Sequence, residues 1–412
     1  MNGVGRHAGE ASGRRATRRS HPRRLRRQAC AGLALTVLLM VVGDLWVGHR
    51  RGEILLYAPP AESQYRVKPA AFREWLAESD VDVAFVGTSR AHAAFSARRT
   101  TRRLSQAQGR KTVAFNYGLD HAQFYEVQHT IREVATLSPA TLIVWGVSDI
   151  SFVAEPSLAP TYEWSFVDLA RFLWRGEGGG RTKRTALRLY LEARAGDLWE
   201  PFGLRRQLRN YLAERAAAWL PATLQGTIGM PAEVRARWAR ENREIFADRT
   251  GDAPTTRSRE SEGWTVDQWC SHQKLTLDEC MARNAPQPPS DWIGREGWAE
   301  VRATAELVRR SGGRLVLVEM PRPPVFRASV AESWSSAYRR LIARAAEEAG
   351  ATLLTVPGVD AVDADDYFSD HSHLNVRGQR VFTDLVIARL VAGGYLSGDA
   401  PPSLASAGAG GG

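Results

Sequence analysis

Two regions of the chain, residues 81–150 and 296–395, alternate short apolar runs with longer segments of helical periodicity. The short runs predict buried strands, because they are mostly apolar and are bounded by glycine or polar turn residues. The predicted strands are residues 81–86, 112–116, 141–145, 314–320 and 352–356. The predicted helices are residues 91–107, 122–137, 296–310, 333–349 and 376–390. This alternation predicts an α/β fold with a doubly wound parallel sheet.

Residues 151–295 interrupt the alternation with helical stretches that are rich in arginine and tryptophan. Eight of the thirteen tryptophans of the chain lie in this insertion. An insertion after the carboxyl end of a strand would lie over the edge of the sheet where open α/β proteins bind ligands. We therefore expect either a lid or substrate platform, or a helical subdomain whose tryptophans fill its own core.

The most apolar stretch of the chain is residues 29–47, nineteen residues with Asp44 as the one charged side chain. At about 1.5 Å per residue a helix of this length spans a bilayer core of roughly 30 Å. The arginines before it predict a cytoplasmic N-terminus and an exterior position for the chain beyond residue 50. A cleaved signal peptide, including one of the twin-arginine type, is the alternative.

The remaining segments complete the predicted organisation. We expect a disordered basic tail at residues 1–28, a linker with a short helix at 50–80 and a disordered tail at 398–412. The formal net charge is +10, of which residues 1–29 alone carry +8. The charge therefore belongs to the tail beside the apolar stretch, and the sequence gives no support for nucleic-acid binding.

Cysteine usage agrees with export from the cytoplasm. Cys270 and Cys280 lie ten residues apart in a polar stretch, and in an oxidising compartment they would form a disulfide; the alternative is two unrelated thiols. No spacing in the sequence is typical of a metal site, and we expect no cofactor.

Ser89 ends the Gly87-Thr88-Ser89 turn that follows the first predicted strand, just before a helix is expected to begin. A helix N-terminus adds unpaired amides beside such a residue, which suits a nucleophile. A serine needs a base, and Asp370 and His373 lie close enough in sequence for their side chains to converge. The other interpretation is a polar loop in which Asn375 caps the last helix. His371 also adjoins Asp370 and is a rival base.

These motifs resemble the conserved blocks of the SGNH (GDSL-type) hydrolases. Gly87-Thr88-Ser89 resembles the first block, and Asp370-x-x-His373 resembles the last. Asn116-Tyr117-Gly118 lies where that family has its oxyanion glycine, and Gly146-Val147-Ser148-Asp149 lies where it usually has Gly-x-Asn-Asp. The resemblance covers residues 81–149 and 314–392 and implies a flavodoxin-like order of five strands.

The resemblance also implies roles for single residues. Ser89 is the expected nucleophile, His373 the base and Asp370 the residue that holds the imidazole. The backbone N–H groups of Ser89 and Gly118 would bind the oxyanion, with the Ser148 hydroxyl in place of the usual asparagine.

Two neighbouring residues are candidates for substrate binding. Arg90 would pair with an anionic substrate group, or cap neighbouring structure instead. Asn116 would compensate for the missing asparagine of the third block.

The expected function is that of a membrane-anchored extracytoplasmic serine esterase or O-acyltransferase. It would act on acyl esters of envelope glycans or lipids through an acyl-serine intermediate, with an acyl-carrying membrane protein as a further partner. Membrane-tethered relatives of this layout acetylate exported polysaccharides or aid D-alanylation of teichoic acids. The alternative is an inactive envelope protein that binds glycan through the tryptophan-rich insertion.

Overall fold

Five parallel strands form one sheet in the order β2-β1-β3-β4-β5. The strands are β1 (Val83–Gly87), β2 (Ala114–Gly118), β3 (Leu142–Val147), β4 (Arg314–Glu319) and β5 (Thr352–Leu354). In this computed structural model the described residues are 22–58, 60–152, 204–216, 230–252, 264–284, 293–354, 356 and 365–396, with scattered positions between 170 and 195. Every residue of β1, β2 and β3 is buried, as expected for parallel strands covered on both faces. The α/β class and the parallel sheet predicted from the sequence are confirmed.

Helices cover both faces of the sheet and form two apolar cores with it. The first face carries α2 (Pro60–Glu78), α5 (Phe124–Leu137), α10 (Gly294–Arg310) and α12 (Glu332–Ala349). The second face carries α3 (Ser89–Ala94), α4 (Ala97–Gln108), α8 (Val266–His272), α9 (Leu277–Asn284), α11 (Pro324–Ser329) and α13 (Val376–Ala392). Because all strands run the same way, the loops after β1, β2, β3 and β4 meet at the carboxyl end of the sheet.

The single helix predicted at residues 91–107 is in fact two, because the chain breaks at Phe95 and Ser96. The Asn116 side chain donates hydrogen bonds to the carbonyl oxygens of His92 and Phe95, at 3.1 and 2.8 Å. Ser96 then caps α4 by accepting a hydrogen bond from the Arg99 N–H. The break leaves α3 as a short helix that begins at Ser89.

Part of the insertion packs against the sheet, within the residues that the structure describes. Its helices there include α6 (Arg205–Ala216), α7 (Ala232–Ala247), α8 and α9. Trp269 of α8 and Met281 of α9 belong to the core of the second face. All four helices belong to the same compact unit as the sheet, residues 51–412. Most of residues 153–203 lie outside the described residues, as do residues 1–21 of the predicted tail at 1–28 and all of the predicted tail at 398–412. Residues 22–28 of the first predicted tail are helical.

The outer edge of β2 is covered by the segment that follows α7. The Asn116 N–H donates to the Thr250 carbonyl oxygen at 2.9 Å. Gly251 has φ +75° and packs so closely on the Asn116 carbonyl that no side chain fits there. The carboxylate of Asp252 accepts hydrogen bonds from the Ala97 and Arg98 N–H groups at the start of α4, at 2.7 and 2.9 Å.

The N-terminal helix α1 (Pro22–Leu55) includes the segment Cys30–Leu55, which is long and apolar enough to cross a membrane. The most apolar stretch of eighteen residues in this segment has a mean hydropathy of 2.1, and a signal sequence passes the same test. The described residues up to Arg50 form a unit of their own. Its large apolar side chains are mostly exposed, including Leu33, Leu38, Leu39 and Leu45. The predicted apolar N-terminal helix is therefore present.

Candidate active site

Ser89 is the first residue of α3, directly after the turn that leaves β1. Thr88 caps the helix, since its hydroxyl accepts a hydrogen bond from the Arg90 N–H. Gly87 has φ +154°, and a Cβ atom there would lie 2.6 Å from the Ala91 Cβ atom. The turn therefore requires glycine, and it presents Ser89 at the carboxyl edge of the sheet.

The Ser89 hydroxyl meets the imidazole of His373, with 2.8 Å between Oγ and Nε2. The Nδ1 atom of the same ring lies 2.9 and 3.0 Å from the two carboxylate oxygens of Asp370. A carboxylate only accepts hydrogen bonds, so Nδ1 carries the proton and Nε2 faces the serine as an acceptor. The structure thus brings together the three residues that the sequence predicted as a triad, in the geometry that a serine nucleophile requires.

The loop before α13 holds Asp370 by hydrogen bonds from its own backbone. Asp370 is 2% exposed, and its Oδ1 atom accepts the N–H groups of Ser372 and His373 at 2.7 and 2.9 Å. Asn375 caps α13 through the Arg377 and Gly378 N–H groups. The two interpretations of this loop are therefore compatible, because one segment both caps the helix and orients the imidazole.

His371, the rival base, lies among aromatic side chains. Its ring packs on Trp269 and Phe326, with centroids 5.1 and 5.8 Å apart. Its Nδ1 atom is 4.0 Å from the nearest Asp370 oxygen, against 2.9 Å for His373. The geometry favours His373 as the base.

Two of the three predicted oxyanion donors make contacts with other polar groups of the protein. The Gly118 N–H donates to the Asn116 side-chain oxygen at 3.0 Å. The Ser148 N–H donates to the Ser151 hydroxyl at 3.0 Å, and the two hydroxyls lie 3.2 Å apart. Ser148 is 1% exposed. The Ser89 N–H lies in the first turn of α3, where no carbonyl of the same helix can accept it, and it is the predicted donor that remains.

The structure ties both predicted substrate-binding residues into the fold. Asn116 is fully buried, and its amide spans the end of α3 and the Gly118 N–H, so it does not reach a substrate face. Arg90 is buried too and forms an ion pair with Asp149. Of the two roles considered for Arg90, the contact with neighbouring structure is the one observed.

A second carboxylate–imidazole pair lies beside the triad and was missed from the sequence. The His92 Nδ1 atom is 3.1 Å from the Asp120 carboxylate, and both side chains are largely buried. Lys68 of α2 lies near this pair, and its ammonium group donates a hydrogen bond to the Gly118 carbonyl oxygen at 2.5 Å. One signal was available, because His92 stands three residues after Ser89 and so shares its face of a helix.

Burial and mutual attraction shift the pKa values of this group. Burial alone would raise the pKa of Asp120, but the hydrogen bond from His92 and the charges of His92, Lys68 and His373 hold it below its usual range. Burial lowers the pKa of Lys68 to about 8, against the opposing attraction of Asp120. The influence of His373 on Asp120 shows that the two carboxylate–imidazole pairs share one electrostatic environment.

The predicted cysteine pair is also brought together. The structure joins Cys270 of α8 and Cys280 of α9 in a disulfide, with Cα atoms 5.7 Å apart. Among the residues that the structure describes, no group of three or more His, Cys, Asp or Glu side chains is arranged to hold a metal ion.

Comparison with known proteins adds no assignment to this geometry. No protein-family model matches the chain, and no curated protein matches it either.

Proposed function

We propose that this protein is a serine esterase or O-acyltransferase of the SGNH type, with Ser89 as nucleophile. The observation that carries the proposal is the hydrogen-bonded sequence Ser89–His373–Asp370 at the carboxyl edge of a parallel sheet. The strand order, with β1 between β2 and β3, supports the same conclusion.

In the first half of the reaction His373 takes the Ser89 proton at Nε2 while the serine oxygen bonds to the ester carbonyl carbon. Asp370 stabilises the imidazolium through Nδ1. The tetrahedral oxyanion accepts a hydrogen bond from the Ser89 N–H. When the intermediate collapses, His373 returns the proton to the leaving alcohol and an acyl-serine remains.

In the second half the same imidazole activates the group that removes the acyl chain. Water gives hydrolysis, and a sugar hydroxyl gives transfer. Both outcomes use the same three side chains, so the acceptor decides between an esterase and an acyltransferase.

Labelling with a fluorophosphonate probe tests the nucleophile. We expect the full-length protein to be labelled once and Ser89→Ala to remain unlabelled. Ser336→Ala, which removes a serine on the outer face of α12, is the matched control and should label like wild type. Labelling of Ser89→Ala at the wild-type level would contradict the proposal.

We further propose that α1 anchors the chain in a membrane with the catalytic domain on the exterior. The support is the apolar segment Cys30–Leu55 and the arginines that precede it. The acyl ester would then belong to an envelope glycan or lipid. In cells whose outer barrier has been opened, external protease should remove an epitope placed at residue 396 but spare one at residue 2. Protection of both would contradict this orientation.

A non-catalytic role in glycan binding is the second candidate. It is favoured by the internal contacts of the Gly118 N–H, which donates to Asn116, and of the buried Ser148 hydroxyl, which lies 3.2 Å from the Ser151 hydroxyl. These contacts leave the oxyanion with fewer donors than the resemblance implies. Surface acylation of cells that carry wild type or Ser89→Ala separates the candidates, because only the enzyme requires the serine. Equal acylation would favour the binding protein.

A further inference from the structure

A cavity of about 490 Å³ opens at the carboxyl ends of β4 and β5. This volume is within the range of sites for small molecules. Its polar and aromatic lining comes from the end of β4, the loop after it, and α11 and α12. The charged lining residues are Glu319, Arg322, Arg327, Glu332 and Arg339, and the aromatic ones are Trp334 and Tyr338. The triad residues do not line this cavity.

Arg322 is the buried cation of the cavity, with 9% of its surface exposed. Its guanidinium lies over the rings of Trp334, Phe326 and Tyr338, at 4.6, 5.2 and 5.3 Å from their centroids. Stacking of this kind fixes the plane of the guanidinium and leaves its N–H groups free to point outward along that plane.

The hydrogen-bonding capacity of Arg322 is mostly unused. Its Nη2 atom forms an ion pair with Asp149 at 2.6 Å. The Nη1 atom is buried and makes no hydrogen bond to any residue that the structure describes. A buried guanidinium donor without an acceptor is destabilising, and a bound oxyanion would supply the missing acceptor.

The buried side chains around Asp149 carry more positive than negative charge, which also favours a bound anion. Arg90 and Arg322 share this single carboxylate, and all three side chains are nearly buried. Burial lowers the pKa of Arg322, with the nearby charge of Arg90 acting in the same direction against the attraction of Asp149. Burial also raises the pKa of Glu319, a carboxyl group of the cavity lining, against the attraction of Arg322, Arg339 and Arg327. Buried cations in excess of their partners favour an anionic ligand.

We infer that this cavity is a binding site for the carboxylate or phosphate group of a sugar-sized molecule, with Arg322 as its principal contact. Arg327 and Arg339 also line the cavity and are exposed. Arg339 forms an ion pair with Glu332 at 2.7 Å, so the three arginines of the lining outnumber its two glutamates by one. The planar guanidinium suits either oxyanion through paired N–H donors.

The cavity is linked to the proposed nucleophile through ion pairs. Arg90 follows Ser89 in α3 and shares Asp149 with Arg322. If the proposed function holds, the anionic group belongs to the acyl donor or acceptor. The binding site itself does not depend on the proposed reaction, and its test is independent of turnover.

The test measures binding by calorimetry to full-length Ser89→Ala protein in detergent, with glucuronate, glucose 6-phosphate and glucose as probes. We expect at least one of the two anionic sugars to bind tenfold or more tightly than glucose, which carries no charge. Arg322→Gln should weaken anion binding at least tenfold. Arg344→Gln is the matched control, because Arg344 also stacks on a tryptophan of the same face, at 4.4 Å from Trp298, but lies outside the cavity.

A second variant protects the test against misfolding of Arg322→Gln. Arg327→Glu/Arg339→Glu changes only exposed side chains and should also weaken anion binding at least tenfold. Arg309→Glu/Arg310→Glu, at the exposed end of α10, makes the same change in net charge and should leave it unaltered. The inference is overturned if glucose binds as tightly as both anions, or if the cavity double variant matches its control. A failure of fluorophosphonate labelling would overturn the proposed reaction and leave this result standing.

Discussion

The Nε2 atom of His373 lies 2.8 Å from the hydroxyl oxygen of Ser89, although 284 positions separate the two residues in the chain. Ser89 is placed by the turn after β1, and His373 by the loop that caps α13. Both segments are held by hydrogen bonds of their own, at Thr88 and at Asn375. The contact is therefore set by two locally ordered turns at one edge of the sheet.

This relationship predicts which histidine is required for turnover. His373→Ala should lower kcat/KM for p-nitrophenyl acetate by about 10³-fold or more, since the serine loses its base. His371→Ala should change it less than about tenfold, because His371 packs on Trp269 and takes no proton. Ser89→Ala/His373→Ala should be no slower than Ser89→Ala alone, since the two residues act as one unit. The reverse ranking of the two histidine variants would show that the base is misassigned.

Gly118 should tolerate no side chain, because β2 and α3 pack directly against each other there. A Cβ atom at this position would lie 2.5 Å from the His92 nitrogen and 2.7 Å from its Cα atom. Gly118→Ala should reduce the free energy of unfolding by about 1–3 kcal/mol, as measured by urea denaturation. It should also reduce fluorophosphonate labelling, because α3 carries Ser89.

Gly52→Ala is the control for that experiment. Gly52 lies in the helix α1, and nothing lies within 4 Å of the added carbon. Alanine should be neutral or slightly stabilising there, since it favours a helix more than glycine does. Equal stability of the two alanine variants would mean that β2 and α3 can separate at no cost.

Lys68 should make the stability of the protein depend on pH above neutrality. Its pKa is about 8 in the folded chain, below its usual value of 10.5. Between these pH values the unfolded chain binds more protons than the folded chain, so stability should rise as pH increases from about 8 towards 10. Below pH 8 the lysine is charged in both states, and the full cost of burying that charge is present. Urea denaturation at pH 7, 8, 9 and 9.5 measures the rise.

Lys68→Met isolates this contribution, because methionine fills similar space without a titrating group. The difference in stability between wild type and variant should change with pH by up to roughly 3 kcal/mol across the titration. The prediction is contradicted if the stabilities of wild type and variant run parallel from pH 7 to 9.5. Such a result would mean that Lys68 is charged and solvated in the folded protein.

The disulfide between Cys270 and Cys280 should stabilise the second face of the domain. Both cysteines are fully buried in the core that α8 and α9 share with the sheet. Cys270→Ser/Cys280→Ser should lower the free energy of unfolding by about 2–3 kcal/mol by the chain-entropy model. A linked Cys270–Cys280 peptide in non-reduced protein is the direct check. Two free thiols in protein taken from the envelope would contradict the bond.

The sequence predicted the α/β class and the parallel sheet, because these depend on apolar patterns within single segments. The predicted β1 and β2 ended too early, before Gly87 and Gly118. These two glycines pair with each other in the sheet, and with no side chain they continue the strands where a sequence pattern indicates a turn. The triad was predictable because each of its two turns carries its own local signal.

The surroundings of the triad were harder to predict, because they depend on contacts between distant segments. The break between α3 and α4 depends on Asn116, a residue more than twenty positions later. The same side chain occupies the Gly118 N–H that the resemblance assigns to the oxyanion. Arg322, in the loop after β4, forms an ion pair with Asp149, which follows β3, and no local pattern in the sequence indicates that ion pair.

The covering of β2 by Thr250 and Gly251 has a consequence for how the protein behaves at high concentration. An outermost strand with open backbone groups can pair with the same strand of another molecule and start aggregation. Here the Thr250 carbonyl already accepts the Asn116 N–H, and Gly251 lies too close for a second strand to enter beside it. The insertion therefore protects the monomer against self-association at this strand, whatever else it contributes.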